Sequence, residues 1–266
     1  MRILIAGLGL IGGSLAKALK PNNKIAGFDK EEVLAYALKN NIIDEKTEQF
    51  DIYDFVIAAL PPLTTIDFIN NNKFKDNSII TDICGVKEAI EKAIIKRNFN
   101  YVGCHPMAGK EVSGIENSSK QLFNGASLII TKNKDTDKKS IETVENLYKQ
   151  AGFTKIIKCS AVHHDKIIAY TSQLAHIVSN AYVKSETINS YEGFTGGSFQ
   201  DMTRIAALNE DIWTDLFFLN RENILRELDK LINSLKIQEN ALLKNDRQKL
   251  KEALKNGRII KQSINK

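Results

Sequence analysis

Cysteine is scarce in this 266-residue sequence: Cys84, Cys104 and Cys159 stand far apart and form no CxxC pair. An odd, scattered set excludes a disulfide framework and gives no zinc-ligand spacing, so all three read as reduced thiols. Long apolar runs are missing too. No stretch reaches the roughly 18 residues of a membrane span, and the opening "MRILIAGLGLIGG" lacks the basic head and cleavage site of a secretory signal. A soluble protein of the cytoplasm, with no membrane partner, is the expectation. One-sided charge is also lacking. The net charge of +5 comes from lysines spread along the chain and balanced by nearby acids, especially after Asn240. That pattern marks solvated helix faces rather than a nucleic-acid surface, so no nucleic-acid partner is expected. Histidine numbers only four, and HxxxH spacing is absent, which leaves no metal site to expect.

What the sequence does have is apolar material, 43% of residues, enough for one large core or two ordinary ones. Up to about Ser160 it is arranged as short β-branched runs alternating with amphipathic stretches. "RILIAG", "KIAGFD", "DFVIAAL", "SIITDI", "NYVGCH", "ASLIIT" and "TKIIKCS" predict strands. "LIGGSLAKALK", "EEVLAYALKNN", "TTIDFINNN", "VKEAIEKAIIKRN" and "DKKSIETVENLYKQ" predict helices between them. This is the pattern of βαβ units around a parallel sheet. After Ser160 the strand signal stops. "HHDKIIAYTSQLAHIVSNAYVKSETI", "DIWTDLFFLNRENILRELDKLINSLKIQENALLK" and "RQKLKEALKNGRIIKQSI" predict long helices, the first two separated by the Gly-bearing loop "NSYEGFTGGSFQDMT". The expected organisation is therefore an α/β, Rossmann-type parallel-sheet nucleotide-binding domain over residues 1–160, followed by an all-helical domain over 161–266. The helices carry more apolar residues than one helical hairpin can bury, among them Trp213, Phe217, Phe218, Leu225 and Leu235. Leaving that face wet is costly, at about 1.5 to 3 kcal/mol per large side chain, so a homodimer is expected.

The first strand runs straight into "GLGLIGGS", where Gly7, Gly9 and Gly12 have GxGxxG spacing and open a helix. Such a loop turns tightly at the first glycine, lets a pyrophosphate approach at the second and packs helix on strand at the third. The helix N-terminus then faces the phosphates. Gly7, Gly9, Leu10, Ile11 and Gly12 are thus candidate dinucleotide contacts. Asp29, closing the second strand, sits about 20 residues on, where a carboxylate takes hydrogen bonds from a ribose. It favours NAD over NADP, with Lys30 beside it as the residue able to tolerate a phosphate. "AALPPL" either shapes the loop over the cofactor, with Leu60 and Pro61 as contacts, or merely ends a strand; spacing does not choose between these.

His105 ends a later strand in "GCHPMAG", at the edge where parallel sheets hold ligands. Its unperturbed pKa of about 6.5 suits it to holding the proton of a hydroxyl under oxidation. Ser172 and His176 share one helix face, and His164 stands near the start of that helical stretch. Arg204, in "GGSFQDMTRIAALNEDIW", reads either as a surface ion pair or as a bidentate clamp on a carboxylate.

Taken in order, "GLGLIGGS", "FD", "TDICGVK", "HPMAGKEVSG", "HHDKIIAYTSQLAH" and "GGSFQDMTRIAALNEDIW" resemble the prephenate dehydrogenase family, the TyrA-type dehydrogenases of tyrosine biosynthesis. The resemblance runs from the first strand past Trp213. It implies NAD-dependent oxidative decarboxylation of prephenate to 4-hydroxyphenylpyruvate. In it, His105 matches the catalytic histidine that polarises the substrate 4-hydroxyl, and Arg204 matches the arginine that binds a substrate carboxylate. His164 and His176 match two helical histidines near the substrate, Glu111 and Asp201 match acids at the site's rim, and Trp213 matches a tryptophan near the arginine.

Three positions depart from the family pattern. "CGVK" stands where GSVK is common, so Gly85 lacks the hydroxyl that partners the catalytic histidine. Ala175 replaces a frequent proline, from which a straighter helix around His176 is expected. Gln200 stands where an arginine often precedes the aspartate. Arogenate dehydrogenase is the alternative within the family. A non-catalytic NAD-binding protein is the alternative outside it, against which the joint presence of His105 and Arg204 speaks. A two-domain dehydrogenase of 3-hydroxy acids or imines would need a lysine-centred site that has no clear counterpart here.

Overall fold

The computed structural model describes residues 1–95 and 98–264. Two compact units divide the chain, Met1–Asn220 and Arg221–Lys266. In the first, strands and helices alternate as β1 (Arg2–Ala6), α1 (Leu10–Leu19), β2 (Lys24–Phe28), α2 (Glu31–Lys39), β3 (Glu45–Lys46), β4 (Phe55–Ala58), α3 (Pro62–Asn71), β5 (Ile79–Asp82), α4 (Glu88–Ala93), β6 (Asn100–Met107), β7 (Ser127–Thr131), α5 (Lys138–Gln150) and β8 (Lys155–Cys159). One sheet holds all eight strands in the order β3-β2-β1-β4-β5-β6-β7-β8. Neighbours are parallel except β6 and β7, which run antiparallel. The order reverses between β1 and β4, and open sheets of this kind bind ligands at that crevice.

The central strands are apolar on both faces because both are covered by helices. Ile3 and Ile5 of β1 pack with Leu15 of α1, Leu34 of α2 and Val144 of α5 on one side. Leu4 and Ala6 pack with Phe68 and Ile69 of α3 and Ile90 of α4 on the other. Each such buried side chain contributes about 1.5 to 3 kcal/mol. The seven expected strands all form; β3, two residues long, carries too little pattern to read. Helix α3 begins at Pro62, at the first helical position where the missing N–H costs nothing, so "PP" opens a helix as well as closing a strand. The "VKEAIEKAIIKRN" helix spans Glu88–Ala93, while Lys96 and Arg97 of that stretch lie outside the described residues.

Strand pairing ends at Cys159, and helices follow: α6 (Ala161–Ile168), α7 (Leu174–Tyr182), α8 (Gly197–Thr203) and α9 (Glu210–Leu219). The compact unit nevertheless runs on to Asn220: α6 buries His164 and Asp165 against His105 of β6 and the start of α4, and Asn220 bonds back to Asp165. Between α6 and α7 lies a π-helical turn, Ala169–Gln173, where a straighter helix was expected. Widened turns of this kind redirect side chains and concentrate at functional sites. The loop "NSYEGFTGGSFQDMT" contains α8. The long helix expected from Asp211 onward breaks at Asn220, whose amide Nδ2 donates to the Asp165 carbonyl (2.8 Å) and to Gln173 Oε1 (2.6 Å). Buried, at 4% exposure, that side chain is worth more bonded than turned outward on a continuous helix.

The second unit is α10 (Arg221–Leu243) and α11 (Arg247–Ile264), joined by a short turn in which Asn245 takes φ of 51°. Many of its apolar residues stay open: Leu242 is 66% and Leu243 76% exposed, and Leu235, Leu254 and Ile260 are exposed as well. Among the described residues no helix is long and apolar enough to cross a membrane.

Candidate active site

The glycine loop is built by close approach. Gly7 has φ of 89°, and a Cβ there would meet the Ala59 carbonyl oxygen at 2.3 Å. At Gly12 a Cβ would lie 1.9 Å from the Gly7 oxygen. Nothing lies within 4 Å of a Cβ built on Gly9, so the middle glycine faces open space. Gly9 also caps α1 without any side-chain hydrogen bond, which leaves the first-turn amides of the helix for an anion. Asp29 stands at the rim of this cradle. Its Oδ2 accepts from the Leu8 N–H at 2.6 Å and its Oδ1 from the Lys30 N–H at 2.7 Å, so the carboxylate is clamped against the loop at the end of β2. Across β1, the segment after β4 carries Leu60, partly buried, and exposed Pro61. An open glycine face, free helix amides and a fixed carboxylate are the donor and acceptor set that a dinucleotide needs.

His105 owes its place to the unequal lengths of β5 and β6. Pairing with β5 ends at Asp82 opposite Gly103, while β6 continues to Met107 against β7 alone. His105 therefore projects beyond the end of β5, into a cavity of ≈ 750 Å³ that Leu10 and Ile11 of the glycine loop also line. Gly85, Glu111, His176 and Trp213 are among its other walls. Apolar residues of the helices, including Ile168, Ile212 and Leu216, complete it.

Behind His105 runs a chain of buried groups. His105 Nδ1 is 2.8 Å from His164 Nε2, and His164 Nδ1 is 2.7 Å from Asp165 Oδ1. Asp165 also accepts the backbone N–H groups of Lys87 and Glu88, each at 2.9 Å, tying α6 to the start of α4. Close by, Asp82 pairs with the Lys87 ammonium, accepts from Tyr101 Oη at 2.5 Å and from the Cys84 N–H at 2.8 Å. Asp82 and Lys87 are both fully buried. Burial, then the neighbouring His164 and the Lys87 ammonium, hold the His105 pKa well below 6.5. Burial lowers His164 as well, against the opposing pull of Asp165. Both rings are neutral at neutral pH. Burial, helped by Asp82, pushes the Cys84 thiol up to about 12, so it stays protonated and is no nucleophile.

The remaining candidates separate into two groups. His176 lines the cavity, donates from Nδ1 to the Ser172 carbonyl at 3.0 Å and lies against the Trp213 ring, centroids 3.9 Å apart. Glu111 lines the cavity and pairs with Arg204, which is not itself among the lining residues; both side chains are more than half exposed. His164, by contrast, is 2% exposed and does not line the cavity, and both its ring nitrogens are engaged with protein groups. Asp201 is exposed on α8, also outside the cavity lining. Sequence reading missed Asp165, Lys87 and Asp82. The only trace of Asp165 was an acid within "HHD" on a helix, and that it is buried, which makes it informative, is a tertiary fact.

A doubly wound sheet with a ligand-ready glycine loop and a neutral histidine facing the same cavity defines a dinucleotide-binding protein equipped for proton handling. Comparison with known proteins narrows this class. The family model described as prephenate dehydrogenase, nucleotide-binding domain, matches residues 13–157, and the one described as prephenate dehydrogenase, dimerization domain, matches 160–256. The chain belongs to the prephenate dehydrogenase family. It is 32% identical over 252 residues to the prephenate dehydrogenase of Bacillus subtilis (strain 168), covering 88% of this chain and 68% of that protein. It is 30% identical to the cyclohexadienyl dehydrogenase of Zymomonas mobilis, covering 95% and 92%. The crystal structure of prephenate dehydrogenase from A. aeolicus in complex with hydroxyphenyl propionate and NAD+ superposes with a TM-score of 0.86 at 31% identity, covering 99% of this chain and 98% of that one.

Proposed function

We propose that this chain catalyses the NAD-dependent oxidative decarboxylation of prephenate to 4-hydroxyphenylpyruvate, a step of tyrosine biosynthesis. One observation carries the reading: Leu10 and Ile11, which follow directly on the open glycine turn, line the same cavity as the neutral His105. Bound NAD supplies the hydride acceptor. Gly7, Gly9, Leu10, Ile11 and Gly12 hold it by the loop, Asp29 by the ribose, and Leu60 and Pro61 from the neighbouring strand end. His105 accepts a hydrogen bond from the substrate 4-hydroxyl as that carbon loses its hydride and gains carbonyl character. Departure of the ring carboxylate as CO2 then makes the ring aromatic and leaves the hydroxyl as a phenol. The sum is prephenate and NAD+ to 4-hydroxyphenylpyruvate, CO2 and NADH, with no net proton released, so His105 needs only to draw the hydroxyl proton toward it and give it back. Its depressed pKa suits that task, since a protonated ring offers no acceptor.

Arg204 anchors a substrate carboxylate, exchanging its Glu111 partner for the ligand. His176, braced on Trp213, faces the substrate side chain. Asp201 contributes from the rim. The division at residues 1–160 and 161–266 we take as the functional one, cofactor on one side and substrate and dimer contacts on the other. The open apolar side chains of α10 and α11, together with the match to a dimerization domain, support a homodimer. The relative named cyclohexadienyl dehydrogenase, matched along 95% of this chain, favours a second reading in which arogenate is also accepted. Purified protein mixed with NAD and prephenate should form NADH and release CO2, and kcat/KM on prephenate and arogenate ranks the two readings. Absence of NADH with either substrate would overturn both.

A further inference from the structure

We propose that His164 and Asp165 are positioning residues for His105, fixing its ring with the proton on Nδ1 and a bare Nε2 toward the cavity, in place of the hydroxyl that Gly85 lacks. The inference rests on the reading of His105 as the group that accepts the substrate hydroxyl. The argument starts at the acid. Asp165 is 1% exposed, and both its oxygens already accept a backbone N–H, Oδ1 from Lys87 and Oδ2 from Glu88, so it faces His164 as an acceptor too. Its Oδ1 therefore takes a hydrogen from His164 Nδ1. A neutral imidazole has one N–H, so His164 Nε2 is left as an acceptor. The 2.8 Å contact then requires His105 to donate from Nδ1, and the lone pair of His105 falls on Nε2.

Position 85 shows which way that lone pair points. A Cβ built on Gly85 would lie 3.8 Å from His105 Nε2 and 3.9 Å from Cε1, ordinary contact distances, so a hydroxyl at this position would reach Nε2. With glycine there, no hydrogen bond among the described residues reaches Nε2 from that side, and the hold comes from behind. The charged groups facing the two rings are Asp82 on β5, Lys87 ahead of α4 and Asp165 on α6. Asp82 and Lys87 neutralise each other as a buried pair, which leaves Asp165 to set the direction of the proton chain. A second proton on the His164–His105 pair would place a cation within 2.8 Å of its neighbour in a site already holding the Lys87 ammonium, and burial disfavours it.

The test reads the protons directly. Full-length protein labelled with ring-15N histidine, at neutral pH, should show His105 and His164 each protonated on Nδ1 and bare on Nε2. A proton on His105 Nε2, or a doubly protonated His164, would overturn the proposal. Turnover of variants gives a second reading. His164→Leu keeps the volume but ends the chain, and kcat should fall about 10- to 100-fold with both KM values held within roughly threefold. His164→Gln can donate its amide to Asp165 and accept from His105 through Oε1, and it should recover most of that loss. A folded Leu variant with undiminished kcat, or a Gln variant no better than Leu, would contradict it. Should the variants fail to fold, the ring spectrum of the unaltered protein decides alone. Should the unaltered protein oxidise neither prephenate nor arogenate, the substrate reading fails while the spectrum still tests the proton chain.

Discussion

The glycine loop and the histidine chain line or back the same cavity, yet they are built by opposite means. The loop is contiguous: strand, turn and helix N-terminus follow one another from Arg2 to Leu19, and its geometry is set by where side chains are absent. The histidine chain is assembled from β6, the segment before α4 and α6, and its geometry is set by where polar groups are buried and satisfied. Backbone builds the cradle suited to a dinucleotide, and side chains from distant segments build the part that, on the proposed function, handles the substrate. Loss of function should follow that division, with substitutions in the loop acting on folding or cofactor binding and those in the chain acting on turnover.

The largest effect expected is that of His105→Asn, which should lower kcat about 10²- to 10⁴-fold while the NAD dissociation constant, read by fluorescence titration, stays near its starting value. A parallel loss of NAD affinity would blur the division. Within the loop, Gly12→Ala and Gly9→Ala should separate sharply. The first drives a Cβ into the Gly7 carbonyl and should lower stability by about 3 kcal/mol or more in urea unfolding. The second meets no protein atom, so stability should hold and only the KM for NAD should rise. Arg204→Gln should mainly raise the KM for prephenate, by about tenfold, because a charge-assisted bond to a carboxylate contributes roughly 1.5 to 3 kcal/mol and this site's edge is exposed to solvent.

The smallest effect is on acid stability. Both histidines of the chain are held neutral in the fold, with pKa values below the 6.5 of a free ring. Below that pH the unfolded chain binds more protons than the folded one, so stability falls as pH drops from 6.5. The slope is at most about 1.4 kcal/mol per pH unit for each ring. The slope is half-developed near pH 6.5 and fades within about one pH unit above it. In unfolding curves between pH 7 and about 5, His164→Gln should flatten this decline; an unchanged slope would mean that the buried ring does not resist protonation.

How much of this could be read in advance follows the same division. The seven longer strands and the glycine turn between β1 and α1 were apparent from local pattern, since each depends on residues close in sequence. The break at Asn220, the π turn at Ala169–Gln173 and the inward turn of His164 were not, because each is set by a partner far along the chain: Asp165 and Gln173 for Asn220, His105 for His164. His164 and His163 are adjacent and alike in sequence. One is buried and bonded at both nitrogens and the other is exposed, and only the packing of α6 on the end of β6 tells them apart. Helix α8 escaped notice for a different reason: its "GGSFQDMT" carries turn residues and a short helix at once.

The most direct test of the central claim is a structure of this protein with NAD and 4-hydroxyphenylpyruvate bound. The account expects the phenolic oxygen about 2.6 to 3.2 Å from His105 Nε2, with the ring between that imidazole and the nicotinamide. A phenolic oxygen held by other groups, with Nε2 facing solvent, would contradict it.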